Sequence, residues 1–449
     1  MHNHYINKPF LVHHLNLVAY DMRFTYLVNL LFIALLLVGH HVYGAQEDSV
    51  QADNGAFEQK DIRDLFKSKN APPKPPKKMM LLVLPNVSSN PANGLLLGVA
   101  GTAGWFFGPR ESTHVSSMGF NAAYTTKNQF ISFVKSNAYT KEDKFYLQGD
   151  WRYYIYKAPT WGLGTNSPDT GFVSSSTAWQ GAALDETDGA YPLSYNYLRF
   201  HEIVSYQVKK NFYLGIGYHL DYYNEIEDEL LELDTIPRQL TPHFIYSELN
   251  DFDRKQYVLS GVSANLVYDT RDNLINAYEG SFVNINYRYN PTFLGSDQNS
   301  SSLWMEYRTF HSLSVKTPRH LIGFWLFGNF LVSGNQPYLT LMALGEDQRA
   351  RSGRGYVAGR FRGEDLIYGE AEYRFPISPR SKIIGGVLFV NFTTASNRSR
   401  DIGLFEYIRP GIGFGFRFML NKQFRTNINL DFGFGQKSKG FYFSGTETF

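Results

Sequence analysis

The 449-residue chain has no cysteine, which excludes disulfides, thiolate metal sites and a bacterial lipid-anchor cysteine. It has almost no excess of charge. Lys and Arg number 43 against 41 Asp and Glu, so nothing points to a nucleic-acid partner. Long apolar runs are scarce too. The single one, residues 27–38 (LVNLLFIALLLV), falls short of the roughly 20 residues a spanning helix needs. No phosphate-binding glycine loop, dinucleotide fingerprint or metal-thiolate spacing occurs, so no cofactor and no metal site is expected.

Aromatic residues are abundant: 31 Tyr and 36 Phe help make the aromatic share 16%, beside 39 Gly. At modest hydrophobicity, that enrichment suits a surface meeting lipid headgroups. The apolar run follows Arg23 and precedes the small-residue pattern Val42-Tyr43-Gly44-Ala45. Residues 1–44 therefore read as a leader plus secretory signal peptide rather than an uncleaved anchor, with Met22 as the expected start. His2, His4, His13 and His14 resemble a metal tract but fall in that discarded leader. Residues 45–80 read as a polar linker ending in Pro72-Pro-Lys-Pro-Pro-Lys-Lys78, within which 61–66 can form one amphipathic turn.

From about Leu81 to Phe449 the texture is period-two alternation. Phe212, Leu214, Ile216, Tyr218, Leu220 and Tyr222 share one face, opposite Gly215, Gly217, His219 and Asp221. Ile412, Phe414, Phe416 and Phe418 oppose Arg409, Gly411, Gly413, Gly415 and Arg417; Ile428, Leu430, Phe432 and Phe434 oppose Asn427, Asn429, Asp431 and Gly433. A soluble sandwich also alternates. An exported chain without a spanning helix, however, can cross a bilayer only as a closed barrel. Residues 81–449 are therefore expected to be all-β: a transmembrane antiparallel barrel of about 16 strands in the bacterial outer membrane. Tight turns near 126–128, 209–211, 317–320, 377–381 and 421–423 are expected at the periplasmic end. Longer excursions at 224–254, 336–365 and 395–406 are expected outside. Ten strands counted from Gly94, five after residue 365 and one placed in 160–180 complete the number.

The run 349–363 (RARSGRGYVAGRFRG) sets five arginines among glycines. Fixed charge at that density needs carboxylate partners when buried. On the strand that follows, Tyr368, Glu370, Glu372 and Arg374 share a face opposite Ile367, Gly369, Ala371, Tyr373 and Phe375. With the apolar set facing lipid, both glutamates point inward. An infolded loop can then pair Arg354 with Glu372, with Gly355 turning the tip and Tyr356 wedged against the wall. The other possibility is a solvated external loop contacting lipopolysaccharide phosphates.

These residues resemble the BamA/TamA (bacterial surface antigen) family. The resemblance rests on four pieces in order: Tyr268-Asp269-Thr-Arg271-Asp272-Asn273 closing on Glu279-Gly280; Arg354-Gly355-Tyr356 with Gly359-Arg360-Phe-Arg362-Gly363; Glu372-Tyr-Arg-Phe-Pro376; and a glycine-aromatic final hairpin ending in Phe449. It implies a strand-end motif, an arginine-tipped sixth external loop with docking partners on the wall, and a C-terminal assembly signal at Phe449. It also implies a weakly closed seam between first and last strands, which Gly98, Gly101 and Gly104 in the first and Gly440 and Gly445 in the last fit, since glycine weakens strands. The family's usual second carboxylate on the next strand is Asn391 here. Residues 45–80 are too short and proline-rich for a periplasmic substrate-handling (POTRA) domain. The implied function is help in inserting or translocating proteins at the outer membrane, with client proteins, outer-membrane lipid and lipopolysaccharide as partners. The alternative is a passive pore or a surface-complex anchor.

The remaining constellations are weaker. Residues 225–234 (EIEDELLELD) could collect calcium, but such runs in external loops are usually solvated. His219 with Asp221 is the best inward pair, but no Ser/His/Asp setting is recognisable, so no catalytic residue is assigned.

Overall fold

The computed structural model describes residues 59–66, 79–90, 94–167, 190–234, 236, 238–314, 317–348, 350–377, 383–445 and 447–449. The leader and signal peptide, most of the 45–80 linker, Arg349 and most of the 377–381 turn lie outside them. Strands β1 (Met79–Asn90), β2 (Gly94–Trp105), β3 (Ser116–Thr125) and β4 (Phe130–Tyr139) come first. The long strands β5 (Phe145–Thr160), β6 (Tyr191–Lys209) and β7 (Phe212–Asp228) follow. A helix, α1 (Pro242–Leu249), stands between β7 and β8 (Tyr257–Asp269). Next are β9 (Gly280–Asn290), β10 (Ser300–Ser312), β11 (Leu321–Gly334) and β12 (Asp365–Pro376). The chain ends with β13 (Ile384–Ala395), β14 (Arg409–Asn421), β15 (Thr426–Gly435) and β16 (Ser438–Ser444). They form one 16-stranded sheet in sequence order, each pairing antiparallel with its neighbour, as in β6–β7 and β14–β15.

The burial pattern decides what surrounds the sheet. On β7 the apolar face is outermost, with Ile216 77% exposed and Leu214 47%, while His219 and Asp221 on the other face are 5% and 2% exposed. A soluble sandwich buries its apolar face; here that face meets the surroundings and the polar face fills the interior, the arrangement of a membrane barrel. The hairpin turns follow the chemistry of their residues. Asn211 and Asn128 adopt positive φ (65° and 58°), which asparagine tolerates better than most residues.

Two expectations about the count are corrected. The sixteenth strand of the sheet is not supplied by residues 160–167, where β5 ends at Thr160 and 161–167 are not strand; 168–180 lie outside the described residues. It is β1, before Gly94, missed because Met79–Leu84 is apolar at every position and shows no alternation. Gly98, Gly101 and Gly104 therefore belong to the second strand. The extra strand also reverses the first hairpins. The 126–128 turn lies beside the start of β2, Thr126 donating its N–H to Leu95 O at 2.9 Å. That is the end of the barrel that carries the arginine loop, not the end of the other short turns.

Aromatic clusters pack at both ends of the interior. Tyr195, Tyr197, Tyr223, Tyr246, Tyr257 and Tyr338 pack at the long-loop end; Tyr139, Tyr146, Tyr213, Ile275 and Phe424 pack at the short-turn end. Among the described residues no backbone ladder joins β1 to β16. β16 has only 7 residues, short of the 9–11 a tilted membrane strand uses. Gly445, just beyond it, faces β1: a Cβ there would stand 3.9 Å from the Leu82 side chain.

Candidate functional site

The connection 335–364 folds back into the barrel, and Ser352 through Arg362 are mostly buried. At its tip the Arg354 side chain is 3% exposed and meets three carboxylates. It donates to Glu370 at 2.6 and 3.3 Å and to Asp431 at 2.8 Å, and it is bonded to Glu372 as well. The guanidinium also lies 3.6 Å from the centre of the Phe389 ring, a cation–π contact strengthened by exclusion of water. Arg374 binds the far oxygen of Glu372 at 2.7 Å. Arg417 spans Asp431 (2.5 Å) and Glu447 (2.7 Å). Charge is thus matched locally, as burial at this depth requires.

Asn391 does not replace the carboxylate expected at its position. Its Nδ2 donates to the Arg354 main-chain oxygen at 3.0 Å and to Glu370 at 3.4 Å. The third carboxylate comes from Asp431, two strands further on. The polar face of β15 was legible in the alternation; that it faces the loop tip is a consequence of barrel closure.

Glycine makes the floor under this tip. Gly355 has φ +109°, and a Cβ there would meet Phe434 C at 2.8 Å. Opposite it, a Cβ on Gly433 would stand 2.5 Å from Gly355 N, and one on Gly435 would stand 2.5 Å from the Tyr356 ring. The Tyr356 hydroxyl donates to Pro410 O (2.7 Å) and accepts from Gln436 N (2.9 Å). From β16, the Tyr442 hydroxyl accepts the Gly355 N–H at 2.7 Å. The loop tip therefore rests on β14, β15 and β16 at once.

The other motif residues hold the loop to itself and to its neighbours. Gly359, at φ +81°, donates its N–H to Leu344 O at 2.7 Å. Arg360 reaches Ser167 Oγ at 2.7 Å and lies over the Trp161 and Phe361 rings. Arg362 collects the carbonyls of Leu341 and Leu339 at 2.7 and 3.1 Å and pairs with Glu346 at 2.8 Å.

Beyond β16 the chain turns into the lumen. Glu447 is held by Arg417, by Asn427 at 2.6 Å and by Asn429 at 3.3 Å, while Arg351 donates to its carbonyl. Phe449 is buried against Trp325 and Phe310, ring centroids 5.6 and 5.8 Å away. The residue expected to act as an assembly signal is thus packed inside the folded barrel. Replacing Glu447 with Gln removes one arm of the Arg417 bridge. We expect a loss of about 1–3 kcal/mol, read as a lower urea midpoint of the refolded barrel.

The strand-end motif lies at the opposite end. Asp269 takes a two-pronged pair from Arg271 at 2.9 and 2.7 Å and a hydroxyl from Tyr139 at 2.7 Å. Asp272 accepts the Tyr278 N–H at 2.9 Å and pairs with Arg425 at 2.5 Å. Gly280, at φ +97°, lets the chain pass where a Cβ would stand 2.2 Å from Thr270 O. The motif ties the β8–β9 connection to the β14–β15 turn across the barrel floor, with no part in the loop clamp. Beside it, His114 bonds Asp143 at 2.6 Å. Burial lowers the His114 pKa, but the bond and charge of Asp143 outweigh this and leave it raised. A raised folded-state pKa gives stability that is fully present at pH below the unfolded histidine value and is lost as pH climbs through the folded one. The drop in melting temperature from pH 5.5 to 8.5 should therefore shrink in His114→Asn relative to wild type.

The inward histidines do not assemble a triad. Asp221 binds His201 at 2.9 Å together with Arg199 and Arg288. His219 instead bonds Ser263 at 2.8 Å. The histidine beside the serine is not the one the carboxylate holds. Among the described residues no acidic or histidine group has the make-up of a metal site, the 225–234 run included.

A sequence profile described as the Omp85 superfamily domain matches residues 105–449. The chain belongs to the Omp85 superfamily. It is an outer-membrane β-barrel protein. Its fold is similar to that of BamA from Haemophilus ducreyi lacking POTRA domains 1-3, with TM-score 0.50 at 16% identity, over 82% of this chain and 70% of that one. CdiB from Acinetobacter baumannii aligns with TM-score 0.47 at 12% identity, over 82% of this chain and 59% of that one. No curated protein matches the sequence. Membership of this superfamily agrees with the family resemblance drawn from the motifs.

Proposed function

We propose that this Omp85 barrel assists the insertion or translocation of proteins at the outer membrane. The observation that carries the reading is the edge of β1, which has no ladder to β16 among the described residues. Unpaired backbone groups at a sheet edge are a template for an incoming strand. β16, short and held by the loop tip through Tyr442, leaves that edge open while the clamp keeps the barrel intact. A passive pore has no use for an unladdered strand edge, and aromatic clusters at both ends of the lumen narrow the space left for water. That favours the strand-pairing reading over the pore.

Depletion of the protein followed by outer-membrane proteomics tests this. Loss of many other barrels is expected for an insertion role, and loss of a single exported protein for a dedicated translocation role. Altered small-solute permeability with an unchanged proteome would overturn the proposal in favour of a pore.

A further inference from the structure

We propose that residues 59–66, ahead of the barrel, are a clasp: docked on the β14–β15 turn, they hold the periplasmic end of β1 and set how readily the unladdered seam opens. The proposal deepens the strand-pairing reading given above and rests on it.

The clasp lies where backbone pairing stops. The β15–β16 ladder ends at Asn429 and Ser444, so among the described residues Thr426, Asn427 and Ile428 have no partner strand on the seam side. The leading end of β1 meets this stretch through side chains alone. The Thr426 hydroxyl donates to Met80 Sδ at 3.4 Å, and Met80 is buried with Phe424 and Ile275 in the floor cluster. A thioether is a weak acceptor, so this contact holds β1 less firmly than a ladder would.

Upstream, the same chain takes a second hold on the same turn. Ile62–Phe66 form a 3₁₀ turn. It is closed by the Asp64 N–H donating to Asp61 O and the Asp61 N–H donating to the Asp64 carboxylate, both at 2.9 Å. That closure presents two carboxylates to one residue. Asp61, 1% exposed, accepts the Lys422 N–H at 3.1 Å, and Lys422 Nζ pairs with Asp64 at 3.0 Å. Bonds to a charged acceptor are the stronger kind, and a buried one is costly to lose. The turn itself is a fixed post. Arg425 is bonded to Asp272, and its main-chain oxygen accepts from Asn276 at 3.3 Å.

Phe66 and Met79 are 13 residues apart in sequence, so the two holds act as one bivalent contact. While the segment is docked, a β1 end that lifts away is returned by its high local concentration. Once the segment is released, only the Met80 contact remains. The intervening chain reaches roughly 45 Å at full extension, so the clasp works through local concentration and not through tension.

The lack of cysteine makes a clean test possible in nanodiscs. Val83→Cys on β1 and Phe443→Cys on β16, 49% and 40% exposed on the outer face, carry spin labels across the seam. On that background one narrow label–label distance is expected. Asp61→Ala and Lys422→Gln should each add a population at longer distance, and hydrogen exchange over residues 61–66 should quicken about tenfold. Lys422→Arg, which keeps the charge, should behave as the parent. Should Asp61→Ala fail to fold, Lys422→Gln decides alone. Unchanged exchange would mean that these bonds do not hold the segment, and faster exchange with unchanged label distances would mean that the segment does not hold β1. Either result overturns the proposal. Neither readout involves a client, so the clasp is tested apart from any insertion activity.

Discussion

Replacing Arg354 with Ala is expected to destabilise the barrel by about 3–5 kcal/mol, the range found when one member of a buried ion cluster is removed. The size follows from what is left behind. Glu370 would retain only the Tyr368 hydroxyl (2.6 Å) and Asn391 as donors. Glu372 keeps Arg374, and Asp431 keeps Arg417. A lysine at 354 keeps the charge but cannot span three carboxylates from one planar group, so it should recover only part of the loss. Heat-modifiability on gels provides the readout: the folded band of Arg354→Ala should disappear at a lower temperature than wild type, with Arg354→Lys between them. Equal transition temperatures for all three would mean the arginine contributes nothing to the fold.

The second large effect comes from the glycine floor. Gly433→Ala places a Cβ 2.5 Å from Gly355 N and 2.8 Å from Arg354 C. Both are backbone atoms that cannot swing away, so the loop tip must lift. The expected loss is about 3 kcal/mol, the upper end for overpacking, because the clamp is lost with the contact. For Gly435→Ala the three nearest atoms all belong to the Tyr356 ring, a side chain that can shift where backbone cannot, so it should cost less. Gly119→Ala is the control: a Cβ there meets nothing within 4 Å. Gly433→Ala and Arg354→Ala disable the same docking, so the double variant should lose clearly less than the sum of the two. Strict additivity, measured by urea unfolding, would separate the floor from the clamp.

Much of this architecture is visible in the sequence. Period-two alternation on β7, β14 and β15 assigns each side chain to lipid or lumen, and the spacing of Glu370 and Glu372 sends both inward toward an arginine-rich loop. What stays hidden depends on closure. Asp431 shares a site with Arg354 only because sixteen strands bring β15 round to the loop tip, and no local pattern encodes that neighbour. Gly411, Gly433 and Gly435 look like ordinary small residues on an inward face until the tip is laid on them. β1 escapes because its inward residues, Met80, Leu82 and Leu84, are as apolar as its outward ones. The strand count, the orientation of the 126–128 turn and the assignment of Gly98, Gly101 and Gly104 all shift with that one strand.

The docking of the arginine loop is tested most directly by a photo-crosslinker. With benzoylphenylalanine in place of Tyr356 and irradiation in intact cells, mass spectrometry should map the crosslinks to the β15–β16 turn around Gly435–Gln436 and to Pro410. Crosslinks to lipopolysaccharide instead, with position 356 open to membrane-impermeant label, would contradict the infolded loop and the clamp built on it.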